Sequence, residues 1–259
     1  MPRLPPITPL SESFMFTPLK PLALALTLAF TAPAIAAGSF SYAPEPVWSY
    51  SHSVNGQTAE IPAYDPATRT VWVVGVNGVD VLDAATGSLV QHIDTSAYGG
   101  ANSVAVHNGL AAVAVEAADR VSPGKVLLFD TPTRAPAAGI NIIEVGALPD
   151  MLTFTHDGTR LLVANEASPF FNDDTEEYEG TDPEGNVSII DMETRSVIAT
   201  PGFANVPAMG GYLRSEASVG INFEPEYIAI DHEGKTAYVT LQEHNALAVL
   251  DLKTNRSEE

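Results

Sequence analysis

Acidic and amide residues recur at matching distances from glycines that the sequence places in tight turns. Asp150 and Glu166, for example, each lie eight residues from Gly158. We call seven residues the acidic face, namely Glu60 at the start of the first unit and, at these positions in the other units, Asn102, Glu116, Asp150, Glu166, Glu226 and Gln242. Carboxylates held close together repel one another, and a bound cation relieves that repulsion. Oxygen ligands suit Ca²⁺, Mg²⁺ or Mn²⁺ better than zinc, so the pattern indicates a site for a hard divalent cation.

The acidic face depends on a hairpin in each of four repeated units. In a hairpin the second strand runs antiparallel to the first, so the start of the first strand and the end of the second lie on the same side. Asp-Gly and Asn-Gly turns between β-branched runs, as at Asp157-Gly158 and Asn108-Gly109, are strong hairpin signals. In the first unit the second position holds the apolar Val76. The alternative interpretation is that these polar groups end strands and hydrogen-bond to neighbouring units.

A closing motif defines the repeat. Asp-x-x-Thr follows an apolar run four times, beginning at Asp83, Asp130, Asp191 and Asp251, at spacings of 47, 61 and 60 residues. Self-similarity near this period is typical of propellers and solenoids. Each unit shows four short strands and no helical periodicity, which predicts an all-β fold: a partial β-propeller of four blade-like units, each a four-stranded antiparallel sheet. The units are predicted to end near residues 93, 145, 199 and 256.

The N-terminus predicts export. Lys20, the apolar run over residues 21–30 and the Ala34-Ile35-Ala36 site form a signal-peptide pattern over residues 1–36, with Met15 as a possible true start. The leader contains Arg3, Lys20 and Glu12, so residues 37–259 have 10 basic and 31 acidic residues and a net charge of −21. Such a charge disfavours nucleic-acid binding. No second apolar stretch follows, so no transmembrane segment is predicted.

Several kinds of chemistry have no support in the sequence. The 259 residues contain no cysteine, no Gly-x-Ser-x-Gly elbow and no phosphate-binding glycine loop. The six histidines have no metal-ligand spacing, and His156 and His232 are interpreted as polar turn residues on the side opposite the acidic face. An acidic insertion over residues 167–185 is interpreted as a solvated loop, with a calcium loop as the alternative.

The ordered motifs resemble a known family. GALPDMLTFTHDGTRLLVANEASP, DPEGNVSIID and EPEYIAIDHEGKTAYVTLQEHNALAVLDL, with the earlier units, are similar to the choice-of-anchor I family and its YVTN-like bacterial propellers over about residues 47–252. The resemblance implies a secreted or cell-surface propeller, and some members are linked to alkaline phosphatase-like or phosphoesterase modules. Such propellers usually have more units and a C-terminal anchor, so we expect that the chain is truncated.

Three functions follow as hypotheses. The first is an extracellular, cell-surface or periplasmic module that binds an unidentified protein or glycan, with a structural divalent cation such as Ca²⁺. The second is a metal-dependent phosphoesterase, for which Arg120, Lys125 and Arg214 are the candidate phosphate-binding cations. The third is an envelope spacer. No catalytic residue is predicted.

Overall fold

The computed structural model describes residues 45–52, 58–172, 177–204 and 220–258. The chain divides into two units, Met1–Glu45 and Pro46–Glu259, and the fold below is that of the second. The predicted signal peptide and Arg214 lie outside the described residues. No helix in the described part of the chain is both long and apolar enough to cross a membrane.

Four four-stranded antiparallel sheets follow one another along the chain. The first sheet consists of β1 (Pro62–Asp65), β2 (Thr70–Gly75), β3 (Gly78–Asp83) and β4 (Leu89–Asp94). The second consists of β5 (Ala101–His107), β6 (Leu110–Val115), β7 (Pro123–Asp130) and β8 (Ile142–Ala147). Each sheet is a meander in which consecutive strands pair, so the prediction of an all-β fold with four blade-like units is confirmed.

The third sheet contains an insertion between its second and third strands. It consists of β9 (Pro149–Phe154), β10 (Arg160–Asn165), β13 (Asn186–Asp191) and β14 (Ser196–Ala199). The insertion was expected to be a loop, but it forms a two-stranded hairpin of β11 (Phe170–Asn172) and β12 (Glu177–Glu179). Pairing between the two strands provides hydrogen-bond partners for their backbone N–H and C=O groups.

The fourth sheet consists of β15 (Pro225–Ile230), β16 (Thr236–Leu241), β17 (Ala246–Asp251) and β18 (Arg256–Glu258). Two 3₁₀ helices, Gly220–Asn222 and Gln242–His244, flank its first two strands. The first strands of successive sheets lie side by side, with β1 against β5, β5 against β9 and β9 against β15. The hairpins that carry the acidic face are therefore neighbours.

Apolar cores between successive sheets hold the unit together. Trp72 and Val79 of the first sheet pack with Val113 of the second, and all three are fully buried. The next core joins Ala112 of the second sheet to Leu161 of the third. Alternate residues of a strand face opposite sides, so the central strands of the second and third sheets bury both faces. This explains their nearly continuous apolar sequences.

The Asp-x-x-Thr motif closes the turn between the third and fourth strands of each sheet. Asp191 Oδ1 accepts hydrogen bonds from the backbone N of Thr194 at 2.8 Å and from its Oγ1 at 2.9 Å. Arg195, the next residue, has a φ of 51°. The aspartate thus stabilises a turn that ends in the left-handed region, and the repeat is a structural motif rather than a ligand site.

The N-terminal segment 46–52 covers the side of the first sheet that faces away from the second. Trp48 Nε1 donates to Ala84 O at 3.0 Å. Asp80, 2% exposed, lies 2.7 Å from Nδ1 of both His52 and His92 through its two carboxylate oxygens. The two imidazoles provide the partners that a buried carboxylate requires.

Candidate functional site

Asp150 and Glu166 lie at one end of the inner hairpin of the third sheet. Asp150 is the second residue of β9, and Glu166 directly follows β10. Asn165 pairs with Pro149 across the hairpin, and the backbone N of Glu166 donates to Leu148 O at 2.9 Å. This register places the two side chains at the same end of the sheet, as the spacing about Gly158 predicts.

The surroundings of both carboxyl groups favour the protonated form. Burial, followed by the negative charges of Glu60 and Glu116, raises the pKa of Asp150 to about 6. Burial, followed by the charge of Asp150, raises the pKa of Glu166 to about 8. Desolvation and like charge act in the same direction here because both disfavour the ionised form.

The fourth sheet adds a third such carboxyl group. Glu226, in β15, has a pKa raised to about 7 by burial, by the charges of Glu243 and Asp150, and by a hydrogen bond with the Glu243 side chain. Gln242 begins the 3₁₀ helix after β16 and is exposed. Residues from the third and fourth sheets therefore share one electrostatic environment.

The second sheet contributes a hydrogen-bonded pair. Asn102 Nδ2 donates to Pro149 O in the third sheet at 3.2 Å, and Asn102 also hydrogen-bonds to Glu116. Burial raises the pKa of Glu116, and Arg120, whose Nε lies 3.9 Å from Glu116 Oε2, lowers it. Asn102 thus joins two sheets, which is the role that the structural interpretation assigned to the set.

The first sheet contributes least. Glu60 precedes β1 and is exposed, although its charge reaches both Glu116 and Asp150. Val76 is 53% exposed and brings no polar side chain to this end of the sheet. The charge of the acidic face is therefore concentrated on the second, third and fourth sheets.

The structure adds three residues that the repeat spacing did not place in the set. Glu224 is 3% exposed and raises the pKa of Glu166 and Glu226. Glu243 follows Gln242 directly and raises the pKa of Glu226. Arg120 lowers the pKa of Glu116, Asp150 and Glu166 alike. Glu224 and Glu243 lie within two residues of predicted members, so a wider window about each strand end would have found them.

A cavity opens between the third and fourth sheets at this face. Its volume is about 430 Å³, and its walls include Asp150, Glu226, Tyr227, Thr240 and Gln242. Asn245 closes one side from a left-handed backbone conformation, with a φ of 49°. The cavity gives a ligand direct access to two of the carboxyl groups with raised pKa values.

The geometry does not preform a metal cage. Across residues 45–52, 58–172, 177–204 and 220–258, no three His, Cys, Asp or Glu side chains are arranged to hold one metal ion. Side-chain rotation, amide oxygens and water would have to complete the coordination of an ion there. Lys125, a candidate phosphate-binding residue, lies on β7 opposite Glu144.

Most of the chain matches one protein family. The choice-of-anchor I domain family matches residues 60–259 of this chain. The chain belongs to the choice-of-anchor I family. The resemblance that the motifs predicted is confirmed, and membership in this family indicates a domain associated with the cell surface. A comparison with curated proteins gave no match.

A solved structure supports the fold of this choice-of-anchor I domain. A crystal structure of a protein of unknown function from Bacteroides caccae is 15% identical with a TM-score of 0.52, and the match covers 82% of this chain and 63% of that one. Hydrazine synthase of Kuenenia stuttgartiensis is 15% identical with a TM-score of 0.44, covering 75% of this chain and 65% of that one. At this identity the Bacteroides match supports the fold alone.

Proposed function

We propose that this choice-of-anchor I domain is an exported binding module whose acidic face binds a divalent cation, with Ca²⁺, Mg²⁺ and Mn²⁺ as the candidates. The observation that carries the proposal is the shared environment of Asp150, Glu166 and Glu226, whose pKa values are raised to about 6, 8 and 7. Carboxyl groups that repel one another and are partly buried gain most from a cation, because its charge replaces the missing solvent.

Binding of a cation should release protons. At neutral pH Glu166 is largely protonated, since its pKa is about 8, and a metal ion binds the ionised carboxylate. The affinity should therefore increase as the pH rises from about 6 to about 8. Arg120 opposes this binding, because its positive charge already lowers the pKa of three of the carboxyl groups.

The test is calorimetric titration of chelator-treated protein with each of the three ions, at pH 6 and at pH 8. Repeating the pH 8 titration in two buffers of different ionisation enthalpy measures the protons released per ion bound. We expect binding that is stronger at pH 8, releases protons and is lost in Glu166→Gln. Glu193→Gln is the control, because Glu193 is exposed on a distant turn. No binding at pH 8, or binding unchanged in Glu166→Gln, would assign these carboxyl groups to inter-sheet scaffolding.

The macromolecular partner of the module is proposed to be a protein or glycan. Tyr227 lines the cavity and is 57% exposed, and Tyr238 and Leu247 on the same sheet are 41% and 57% exposed. Exposed aromatic rings beside a polar cavity are typical of recognition surfaces. Pull-down from envelope extracts with the wild type and a Tyr227→Ala, Tyr238→Ala variant would test this role, with binding lost in the variant.

Arg120 favours a second candidate, a metal-dependent phosphoesterase. A guanidinium beside a metal site can stabilise the charge of a phosphoryl group, while the metal activates water. Arg120 Nε lies 3.9 Å from Glu116 Oε2, and its charge lowers the pKa of Glu116, Asp150 and Glu166. Hydrolysis of p-nitrophenyl phosphate that requires a divalent cation and is lost in Arg120→Gln would support this activity. Absence of turnover with all three ions would leave the binding module as the function.

A further inference from the structure

Two histidines from neighbouring sheets meet on the side of the domain opposite the acidic face. His156 lies in the turn after β9 and His232 in the turn after β15, 76 residues apart in sequence. Their ring centroids are 6.0 Å apart, with an angle of 53° between the ring planes. Both side chains belong to exposed residues, and neither imidazole makes a hydrogen bond with the described part of the chain.

The repeat explains why these two histidines lie close together. Each histidine lies two residues before the glycine of its hairpin, Gly158 or Gly234, so the two occupy equivalent positions of adjacent sheets. Because β9 packs beside β15, equivalent turn positions become neighbours in space. The long separation of the two histidines in sequence gives no indication of this contact.

Both turns are held by their own hydrogen bonds. Asp157 Oδ1 accepts from Thr155 Oγ1 at 2.7 Å and from the backbone N of Thr159 at 3.0 Å. Asp231 Oδ1 accepts from the backbone N of Lys235 at 2.7 Å. The Cα atoms of the two histidines are therefore set by the scaffold, and only side-chain rotations remain to be restricted when both rings bind one ligand.

The spacing fits two imidazoles on one metal ion. An imidazole nitrogen binds such an ion at roughly 2.0–2.1 Å, which places two ring centroids roughly 4.5–6.5 Å apart for nitrogen–metal–nitrogen angles between about 90° and 180°, a range that includes the square-planar geometry of Cu²⁺. The observed centroid separation of 6.0 Å lies within this range. Imidazole ligands suit Cu²⁺, Ni²⁺ and Zn²⁺, and Cu²⁺ binds nitrogen sites most tightly of these.

We propose that His156 and His232 form a surface site for a transition-metal dication, with Cu²⁺ bound most tightly and Zn²⁺ more weakly. No third side chain among the described residues completes a metal cage, so water fills the remaining positions. The site bridges the third and fourth sheets. It lies about 20 Å from Asp150, because β9 separates the two ends of the hairpin.

The test is titration of untagged, chelator-treated protein with Cu²⁺ near pH 7, followed by calorimetry and electron paramagnetic resonance. We expect one nitrogen-ligated ion per chain, which the resonance spectrum distinguishes from an ion on the oxygen ligands of the acidic face. His156→Gln and His232→Gln should each lower the affinity roughly 100-fold, and the double variant should lower it little further, because either loss abolishes chelation. Both positions are exposed, so the variants should fold.

Three controls keep the result specific. His107→Gln should retain the affinity, because His107 Nε2 is already engaged by Asn108 Nδ2 at 2.9 Å. Glu166→Gln should also retain it, which separates this site from the acidic face. Ca²⁺ should not compete, because it prefers oxygen ligands. Single variants that bind like the wild type, or effects of the two substitutions that simply add, would overturn the proposal.

Discussion

Asp150, near the start of β9, and Glu166, directly after β10, lie at the same end of one hairpin. The charge of Asp150 helps to raise the pKa of Glu166 to about 8. The domain therefore carries an electrostatic cost at its acidic face that depends on pH. This cost lies at the ends of strands whose apolar residues form the cores between sheets, so it acts on the stability of the domain as a whole.

The stability of the domain should fall as the pH rises from about 5 to about 8. Asp150, Glu166 and Glu226 have folded-state pKa values of about 6, 8 and 7, above their unfolded values. The folded state thus binds more protons than the unfolded state in this window, and the free energy of unfolding decreases with pH. The decrease is on the order of a few kcal/mol in total once the shift of the more exposed Glu226 is discounted for solvent screening.

The opposite dependence should appear below about pH 4. The pKa of Asp157 is lowered to about 2 by hydrogen bonds from Thr155 and Thr159, and the pKa of Asp191 is also lowered. Their contribution is present above the unfolded pKa and is lost as the pH falls through the folded one. Urea unfolding at several pH values in the absence of divalent ions should show a maximum near pH 5. Stability that rises steadily to pH 8 would contradict this profile.

Glu166→Gln should stabilise the domain at pH 8 by about 1–3 kcal/mol and have little effect at pH 5, because glutamine has the same shape and no ionisable group. Urea unfolding of the variant and the wild type at both pH values measures the difference. Glu193→Gln should change the free energy of unfolding by less than about 0.5 kcal/mol at either pH. Equal effects of Glu166→Gln at the two pH values would show that the raised pKa has no part in stability.

Gly124→Ala should destabilise the contact between the second and third sheets by about 1–3 kcal/mol. A Cβ at Gly124 would lie 2.4 Å from Pro149 Cδ and 2.8 Å from Val115 O, and neither the proline ring nor the backbone can rotate away. Thermal unfolding measures the loss. Gly202→Ala is the control, since its nearest neighbour would be 3.6 Å away. An unchanged midpoint of thermal unfolding in Gly124→Ala would show that the two sheets accommodate the added methyl group without loss of stability.

Asp80→Ala should loosen the N-terminal segment 46–52 and cost about 2–4 kcal/mol, because His52 and His92 both lose their acceptor. Hydrogen exchange should become faster over residues 46–52 and at Trp48 Nε1, which donates to Ala84 O. Glu144→Gln, at an exposed strand position, is the control and should leave the exchange of this segment unchanged. A segment that stays protected in Asp80→Ala would be held by Trp48 alone.

Much of the fold is local and could be predicted from the sequence. Asp-Gly turns, β-branched runs and the Asp-x-x-Thr motif each act through neighbouring residues, and the Asp191 to Thr194 hydrogen bonds show why the motif recurs. The insertion was predicted less well. Its strands pair Phe170–Asn172 with Glu177–Glu179, although the many acidic residues of the segment had indicated a solvated loop.

The sequence by itself determined that acidic residues lie at the open ends of successive hairpins, since the spacing about Gly158 places Asp150 and Glu166 at the same end of the sheet. Only the tertiary structure decided how strongly these groups are perturbed, because desolvation and the charge of Glu224 depend on how neighbouring sheets pack. The same packing brought the rings of His156 and His232 to a centroid separation of 6.0 Å. Contacts between repeats join residues that are far apart in the chain, and no spacing within one repeat reveals them.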